Sequence, residues 1–252
     1  MRSVLITAGG AGIGRAIAEV FAGAGYRTFV CDVSAEACAD LKAALPDVVA
    51  LIADVSKPDQ VVAMFAAVEA EAGGLDVLVN NAGVGGPRGP IDEIEPAAWD
   101  ATIAVNLNGM FYCMKEGARL MKAAGAGTIV NISTSSVLTG LPNRAAYVAS
   151  KAGVMGLTRN AARELGPFGI RCNAVLPGLI DNPRGRALVQ RIASERGQTF
   201  DEAEAGFLKY ISLRCWIDPA DIGQMALFLA SAAARHVTGQ AIAVDGNVEW
   251  EE

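Results

Sequence analysis

The chain has 252 residues, of which 52% are hydrophobic and 19% charged. That composition excludes a disordered or fibrous polypeptide and gives ample material for one large buried core. With 21 basic and 27 acidic residues the net charge is −6, which repels phosphate backbones and argues against a nucleic-acid partner.

The single histidine, His236, leaves no His-rich metal site, so no metal is expected and the proton chemistry falls to other side chains. Cys31, Cys38, Cys113, Cys172 and Cys215 form no CxxC pair and read as buried thiols of a reducing compartment. The apolar run at residues 1–6 is too short for a secretory signal, and the uncharged run at 222–234 is shorter than the ~20 residues that span a bilayer. A cytoplasmic protein with no membrane partner is expected.

In chain order, Ser3–Thr7 is a predicted strand and 12–25 a helix. Strands at 27–31 and 48–53 each precede a helix, at 35–45 and at Pro58–Ala72. A strand at 75–79 runs into a Gly/Pro-rich loop at 83–90, then a long helical region at 96–123. A strand at 128–132, a helix at Ala145–Leu165 and a strand at 170–175 follow. Residues 178–216 are less regular and rich in arginine, and read as an insertion over one edge; a helix at 220–232 and a strand at Ala241–Val244 close the pattern. Most strands are continuous apolar runs, which means burial on both faces. The β-α alternation therefore predicts an α/β fold: one doubly wound parallel sheet over 1–252 with helices on both faces, a Rossmann fold.

The first strand runs into Thr7-Ala8-Gly9-Gly10-Ala11-Gly12-Ile13-Gly14. Glycines there let backbone N–H groups approach a pyrophosphate, and the helix N-terminus adds its positive dipole end. Gly14-Arg15-Ala16 lacks the Lys-Ser/Thr of a P-loop, which leaves a dinucleotide as the ligand class. Asp32 ends the second strand, 18 residues after Gly14. A carboxylate there accepts from the adenosine ribose hydroxyls and repels a 2′-phosphate, and neighbouring Val33 adds no positive charge. NAD is favoured over NADP.

Further motifs extend the pattern: Asp54-Val55, Asn80-Asn81-Ala82-Gly83, Val105-Asn106-Leu107, Tyr147-Val148-Ala149-Ser150-Lys151 and Pro177-Gly178. In this order the chain resembles the short-chain dehydrogenase/reductase family over almost its whole length. The resemblance implies that Gly9, Gly12, Ile13, Gly14, Asp32, Val33, Asp54, Val55, Asn81, Ala82, Gly83, Pro177, Gly178 and Ile180 bind the cofactor together with Tyr147 and Lys151. It implies Asn106, Thr134, Tyr147 and Lys151 as the catalytic set, with Asn106 holding a relay water. Family members carry a serine thirteen residues before the tyrosine; here that position is Thr134, flanked by Ser133 and Ser135. Ala8 stands where the family's first glycine is usual, a fit that needs a negative φ at Ala8. Asn182 replaces a threonine common in the family.

Independently of the family, Tyr147 and Lys151 lie at i and i+4 on a predicted helix and point to one side. A free tyrosine titrates near 10, and a neighbouring ammonium favours its phenolate. Together these readings predict an NAD-dependent oxidoreductase acting on a secondary alcohol: a polyol, a sugar or an anionic hydroxy compound. The alternatives are a non-catalytic dinucleotide-binding sensor or scaffold, and a methyltransferase on a similar sheet. Arg88, Arg144 and Arg184 fall on segments that border the ligand edge of such a sheet, where a guanidinium can grip a carboxylate, phosphate or sulfonate. Helices 100–122 and Ala145–Leu165 correspond to those that pair between subunits in the family, so a homotetramer or homodimer is expected. Trp250 would serve a subunit contact or a pocket cover.

Overall fold

The computed structural model describes residues 1–249. Strands form at β1 (Ser3–Thr7), β2 (Arg27–Asp32), β3 (Val49–Ile52), β4 (Val77–Asn80), β5 (Gly127–Ile132), β6 (Ile170–Pro177) and β7 (Ala241–Val244). Among the described residues they build one parallel sheet in the order β3-β2-β1-β4-β5-β6-β7. The helices between them are α1 (Gly12–Gly23), α2 (Ala35–Ala44), α3 (Pro58–Ala72), α4 (Pro96–Ile103), α5 (Met110–Ala124), α6 (Ser136–Thr139), α7 (Ala145–Leu165), α8 (Pro183–Arg196), α9 (Phe200–Leu208) and α10 (Pro219–Ala230).

The apolar strand runs follow from burial on both faces. Leu5 and Leu78 point into a core shared with Phe65 of α3, Met114 of α5 and Val154 of α7. Their neighbours Val4, Ile6, Val77 and Val79 point the other way, against Ile17 and Phe21 of α1 and Ile222 and Leu229 of α10. One residue's shift in strand phase would exchange the two cores, yet both are apolar, so register is fixed by other means. One such device is polar: Asn80 pairs with Asn131 in the β4–β5 register, and its Nδ2 donates to Asn131 Oδ1 at 2.9 Å. Asn131 Nδ2 in turn donates to Thr158 Oγ1 at 2.9 Å, which ties α7 to the sheet at a set height.

Three expectations need correction. Residues 178–216 are not irregular: they hold α8 and α9, which pack through Val189, Ala193 and Ala203 with Phe200, Phe207 and Trp216. Thr199 and Glu202 cap α9 reciprocally. The helical region at 96–123 is interrupted by a π-turn at Ala104–Gly109. Cys215 is exposed, while the other four cysteines are buried thiols. No helix among the described residues is long and apolar enough to cross a membrane. Trp250 lies outside the described residues.

A further departure is at Ala8, whose φ is +50° rather than negative. The turn needs the left-handed conformation there, because the Ala8 carbonyl passes so close to Gly14 that a Cβ on Gly14 would lie 2.0 Å from it. Asn81 Nδ2 clamps the turn by donating to the carbonyls of Thr7 and Ala8, each at 3.1 Å. A non-glycine residue in this region is strained by roughly 1–2 kcal/mol, against about 0.5–1 kcal/mol for the extra entropy of glycine. Ala8→Gly is expected to stabilise the fold by about 0.5–1 kcal/mol and raise Tm by roughly 1–4 °C. Differential scanning calorimetry reads this; an unchanged or lower Tm would show that Ala8 carries no strain.

Candidate active site

Strand order reverses between β1 and β4, where ligands bind in doubly wound sheets, outside the C-terminal strand ends. On the β1 side stands the glycine turn. Gly9 N donates to Cys31 O at 3.0 Å, and a Cβ on Gly9 would sit 2.6 Å from Val30 Cβ, so the turn lies flat on β2. Helix α1 begins at Gly12 with no side-chain cap and no acidic residue in its first turn. Helices α2, α8, α9 and α10, by contrast, are capped by Ser34, Asn182, Thr199 and Asp218. Among the described residues no side chain caps the first N–H groups of α1, and a Cβ on Gly12 would meet open space. An uncapped N-terminus beside an open cradle fits a pyrophosphate. Ile13 packs half-buried against the α1–α10 core.

The Asp32 carboxylate is held in place: Oδ2 accepts from Gly10 N at 3.1 Å and Oδ1 from Ser34 N at 3.1 Å. Val33 beside it is 69% exposed, which leaves the rim open. Asp54 Oδ1 accepts from Ser56 N at 2.9 Å. Val55 is a core residue, and Gly109 is close enough that a Cβ there would lie 2.8 Å from Val55 Cγ2. On the β4 side, Thr7 Oγ1 accepts from the N–H groups of both Asn81 and Ala82 at 2.9 Å. Thr7 was not singled out by its sequence position; a hydroxyl at the last residue of β1 is the only signal it offers.

Lys151 and Tyr147 lie one turn apart on α7. Lys151 is buried, and its Nζ donates to Ile132 O at the end of β5, at 2.8 Å. Burial, with Arg184 adding to it, pushes this ammonium down to about 8. A Cβ on Gly83 would lie 3.2 Å from Lys151 Nζ and 3.3 Å from Asn106 Oδ1, so the chain after β4 brings both polar groups together. Asn106 sits in the π-turn, fully buried, a placement recurrent at functional sites. Its Oδ1 accepts from Val84 N at 2.7 Å, and its Nδ2 donates to Val84 O and to Ser150 Oγ at 3.0 Å each. Ser150 Oγ donates to Tyr147 O at 2.7 Å, a link the sequence pattern did not suggest.

The three neighbouring hydroxyls after β5 differ in what they bond. Ser133 Oγ donates to Lys151 O at 3.0 Å. Ser135 Oγ donates to Asp245 Oδ2 at 2.6 Å. Thr134 Oγ1 makes only long contacts, 3.4 Å to Ser136 Oγ and 3.3 Å from Ser136 N. After β6, Gly178 N donates to Val244 O, and a Cβ on Gly178 would lie 2.6 Å from Asp245 Cβ, which closes the end of β6 against the segment after β7. Ile180 is 7% exposed and bridges to Ile217. Asn182 is spent as the cap of α8, accepting from Gly185 N at 2.8 Å. Among the described residues no group of His, Cys, Asp and Glu side chains is arranged to hold a metal.

Residues 7–248 match the family model described as enoyl-(acyl carrier protein) reductase. The chain is 38% identical to the cis-4-hydroxycyclohexanecarboxylate dehydrogenase of Sinomonas cyclohexanicum over 97% of its length and 95% of that protein. It is 38% identical to the 3-oxoacyl-[acyl-carrier-protein] reductase FabG of Staphylococcus aureus, with 98% of each chain covered. A crystal structure of levodione reductase superposes with a TM-score of 0.91 at 34% identity, covering 97% of this chain and 96% of that one. Matches of this extent, on a doubly wound sheet with the glycine turn after β1, Asn106 in the π-turn and Tyr147 and Lys151 on α7, make the chain a member of the short-chain dehydrogenase/reductase family.

Proposed function

We propose that the protein is an NAD-dependent oxidoreductase that interconverts a secondary alcohol and its ketone, with Tyr147 as general acid/base. The observation that carries the reading is that Tyr147 and Lys151 lie one turn apart on α7, where Lys151 O accepts from Ser133, the neighbour of Thr134, whose own hydroxyl makes only long contacts. Similarity to levodione reductase and to the hydroxycyclohexanecarboxylate dehydrogenase supports the same reaction class. A nicotinamide dinucleotide, when bound, would supply the hydride acceptor in oxidation and the hydride donor in reduction. Tyr147 takes the hydroxyl proton in oxidation and returns it in reduction. The Lys151 ammonium, held by Ile132 O, favours the phenolate and grips the nicotinamide ribose. Thr134 donates to the substrate oxygen, since Ser133 and Ser135 are committed to Lys151 O and Asp245. Asn106 holds the chain after β4 and a water that relays protons from Lys151. Asp32, fixed by two N–H groups, accepts from the adenosine ribose and selects NAD.

The assay is absorbance of the reduced nicotinamide with NAD or NADP and a panel of secondary alcohols. NAD is expected to be preferred by about tenfold or more in kcat/KM. Tyr147→Phe is expected to lose about 10² to 10⁴ in kcat while still binding reduced cofactor. Thr134→Ala should fall in kcat, whereas Ser133→Ala and Ser135→Ala should show mainly lower Tm. Near-normal turnover in Tyr147→Phe would remove the assignment.

The subunit arrangement belongs to the same reading. A surface groove of about 540 Å³ between α5 and α7 is lined by Leu107, Phe111, Tyr112, Gly153, Gly156 and Leu157, and Phe111 is 48% exposed. Small residues facing aromatic ones suit a second copy of the same helix pair, giving a homodimer or homotetramer. Sedimentation velocity is expected to read an assembly at micromolar concentration; a monomer would exclude it.

The depressed ammonium of Lys151 has a thermodynamic consequence. Its folded value of about 8 lies below the ordinary lysine value near 10.4, so between these the unfolded chain binds more protons and stability rises with pH. Below about pH 8 both states are protonated and the folded apoprotein carries the full penalty, about 3 kcal/mol. The stability of wild type relative to Lys151→Met is therefore expected to climb between pH 8 and 10 in urea denaturation. A difference independent of pH would show that the buried ammonium is not penalised.

A further inference from the structure

Four guanidinium groups gather at the Tyr147 end of the crevice. Arg144, the residue before α7, is 8% exposed, and its Nη2 donates to Gly85 O. Its Cζ lies 5.0 Å from the centroid of the Tyr147 ring. Arg184, in the first turn of α8, reaches the same place: a Cβ on Gly85 would lie 2.9 Å from Arg144 Nη2 and 3.0 Å from Arg184 Nη2. Arg88 and Arg191 complete the group. Burial, then Arg191 with Arg184, holds Arg88 below its ordinary value against the pull of Glu195. Burial, then Arg88, holds Arg144 down, with Arg184 and Arg191 adding to it and Tyr147 opposing.

Few carboxylates offset this crowding. Among the described residues Arg88, Arg144 and Arg184 form no ion pair, and Arg191 has only an exposed contact with Glu195 at 3.7 Å. Arg144 Nε is buried with no hydrogen-bond partner. Like charges brought together cost free energy, and a buried unpaired donor costs more, so the arrangement asks for an anion that the chain itself does not supply. The cofactor does not account for it. Its phosphates belong to the α1 N-terminus and its adenosine to Asp32 on β2, whereas the arginines stand on the segments after β4 and β6 and at the start of α7. Guanidinium forks match planar or tetrahedral oxyanions with paired hydrogen bonds.

Resting on the oxidoreductase reading above, we propose that the substrate is anionic: a secondary alcohol or ketone carrying a carboxylate, sulfonate or phosphate, held by Arg144 and Arg184 with Arg88 and Arg191 completing the pocket. Arg144 stands over the Tyr147 ring, so the anion lies on the same small molecule as the carbon that reacts. The net charge of −6 repels such a substrate from the rest of the surface, and the arginine cluster gives it one point of approach.

Matched pairs test this with NAD and purified enzyme: 3-hydroxybutyrate against 3-hydroxybutyramide, 4-hydroxycyclohexanecarboxylate against its carboxamide, with 2-hydroxypropane-1-sulfonate and glycerol 1-phosphate as the tetrahedral arms. The anionic member is expected to win by about tenfold or more in kcat/KM, and the best arm names the anion. Arg184→Gln and Arg88→Gln are expected to shrink that ratio by a similar factor through KM, with reduced-nicotinamide fluorescence reporting that the cofactor still binds. For a panel without turnover, the enzyme with bound NADH is titrated with acetate, sulfate and methanesulfonate, and Arg184→Gln is expected to weaken the anion that binds. Equal use of neutral and anionic substrates, an unchanged ratio in the variants, or no anion binding to the NADH complex overturns the proposal and leaves the oxidoreductase reading standing. Failure to bind either dinucleotide overturns that reading instead.

Discussion

The site depends on one buried charge. Lys151 is enclosed by α7, the end of β5 and the chain after β4, and among the described residues its ammonium donates to one acceptor, Ile132 O. A lysine placed there at the cost of its hydration fixes three elements at once. The carbonyl of Ile132 sets the height of α7 against β5, Ser133 Oγ repeats the link through Lys151 O, and Gly83 lets the chain after β4 close over the ammonium. Any residue larger than glycine at 83 would press on Lys151 and Asn106. The asparagine network of Asn80, Asn131 and Thr158 works one layer below, holding α7 by polar bonds where apolar packing would tolerate a slip.

The opposite side of the crevice is held by backbone rather than by charge. The glycine turn folds back on β2 and against Asn81, and Ala8 takes a left-handed conformation to keep that path. Strain of this kind persists only where the surroundings over-determine it. Here they do, since Gly14 meets the Ala8 carbonyl, Asn81 donates to it, and Gly9 N is bonded to Cys31 O. The turn and the lysine cluster meet at Asn81-Ala82-Gly83, so one short segment after β4 links the glycine turn to the buried ammonium.

The sheet was legible because burial on both faces writes itself as unbroken apolar runs, and strand positions agree with the sequence pattern to within two residues. The helix holding Tyr147 and Lys151 was equally plain. What escaped had no periodic signature. Helices α8 and α9 carry arginines and acidic residues on wide exposed faces, and their contact rests on a few small side chains such as Ala193 and Ala203, so 178–216 looked irregular. The π-turn that buries Asn106 differs from a helix by one residue of register, which no composition reveals. The sign of φ at Ala8 depended on how closely Gly14 approaches it, a contact made only after folding. Among Ser133, Thr134 and Ser135 the sequence offered three hydroxyls of similar chemistry; their partners, Lys151 O and Asp245, lie 18 and 110 residues away.

The arginines show why a charge pattern needs a fold before it can be weighed. In the sequence Arg88, Arg144, Arg184 and Arg191 are scattered over more than a hundred residues of an acidic chain, and surface arginine is the ordinary expectation. The strand order brings the segments after β4 and β6 to one side of Tyr147 and leaves Asp32 on the other. The crevice therefore has a carboxylate, Asp32, at one end and guanidinium groups beside Tyr147 at the other. A helix-forming stretch sets Arg184 and Arg191 two turns apart on α8 and strengthens the positive end. Segments after β6 can thus change the charge at that end of the crevice while Lys151, Asn106 and the glycine turn are held by separate bonds.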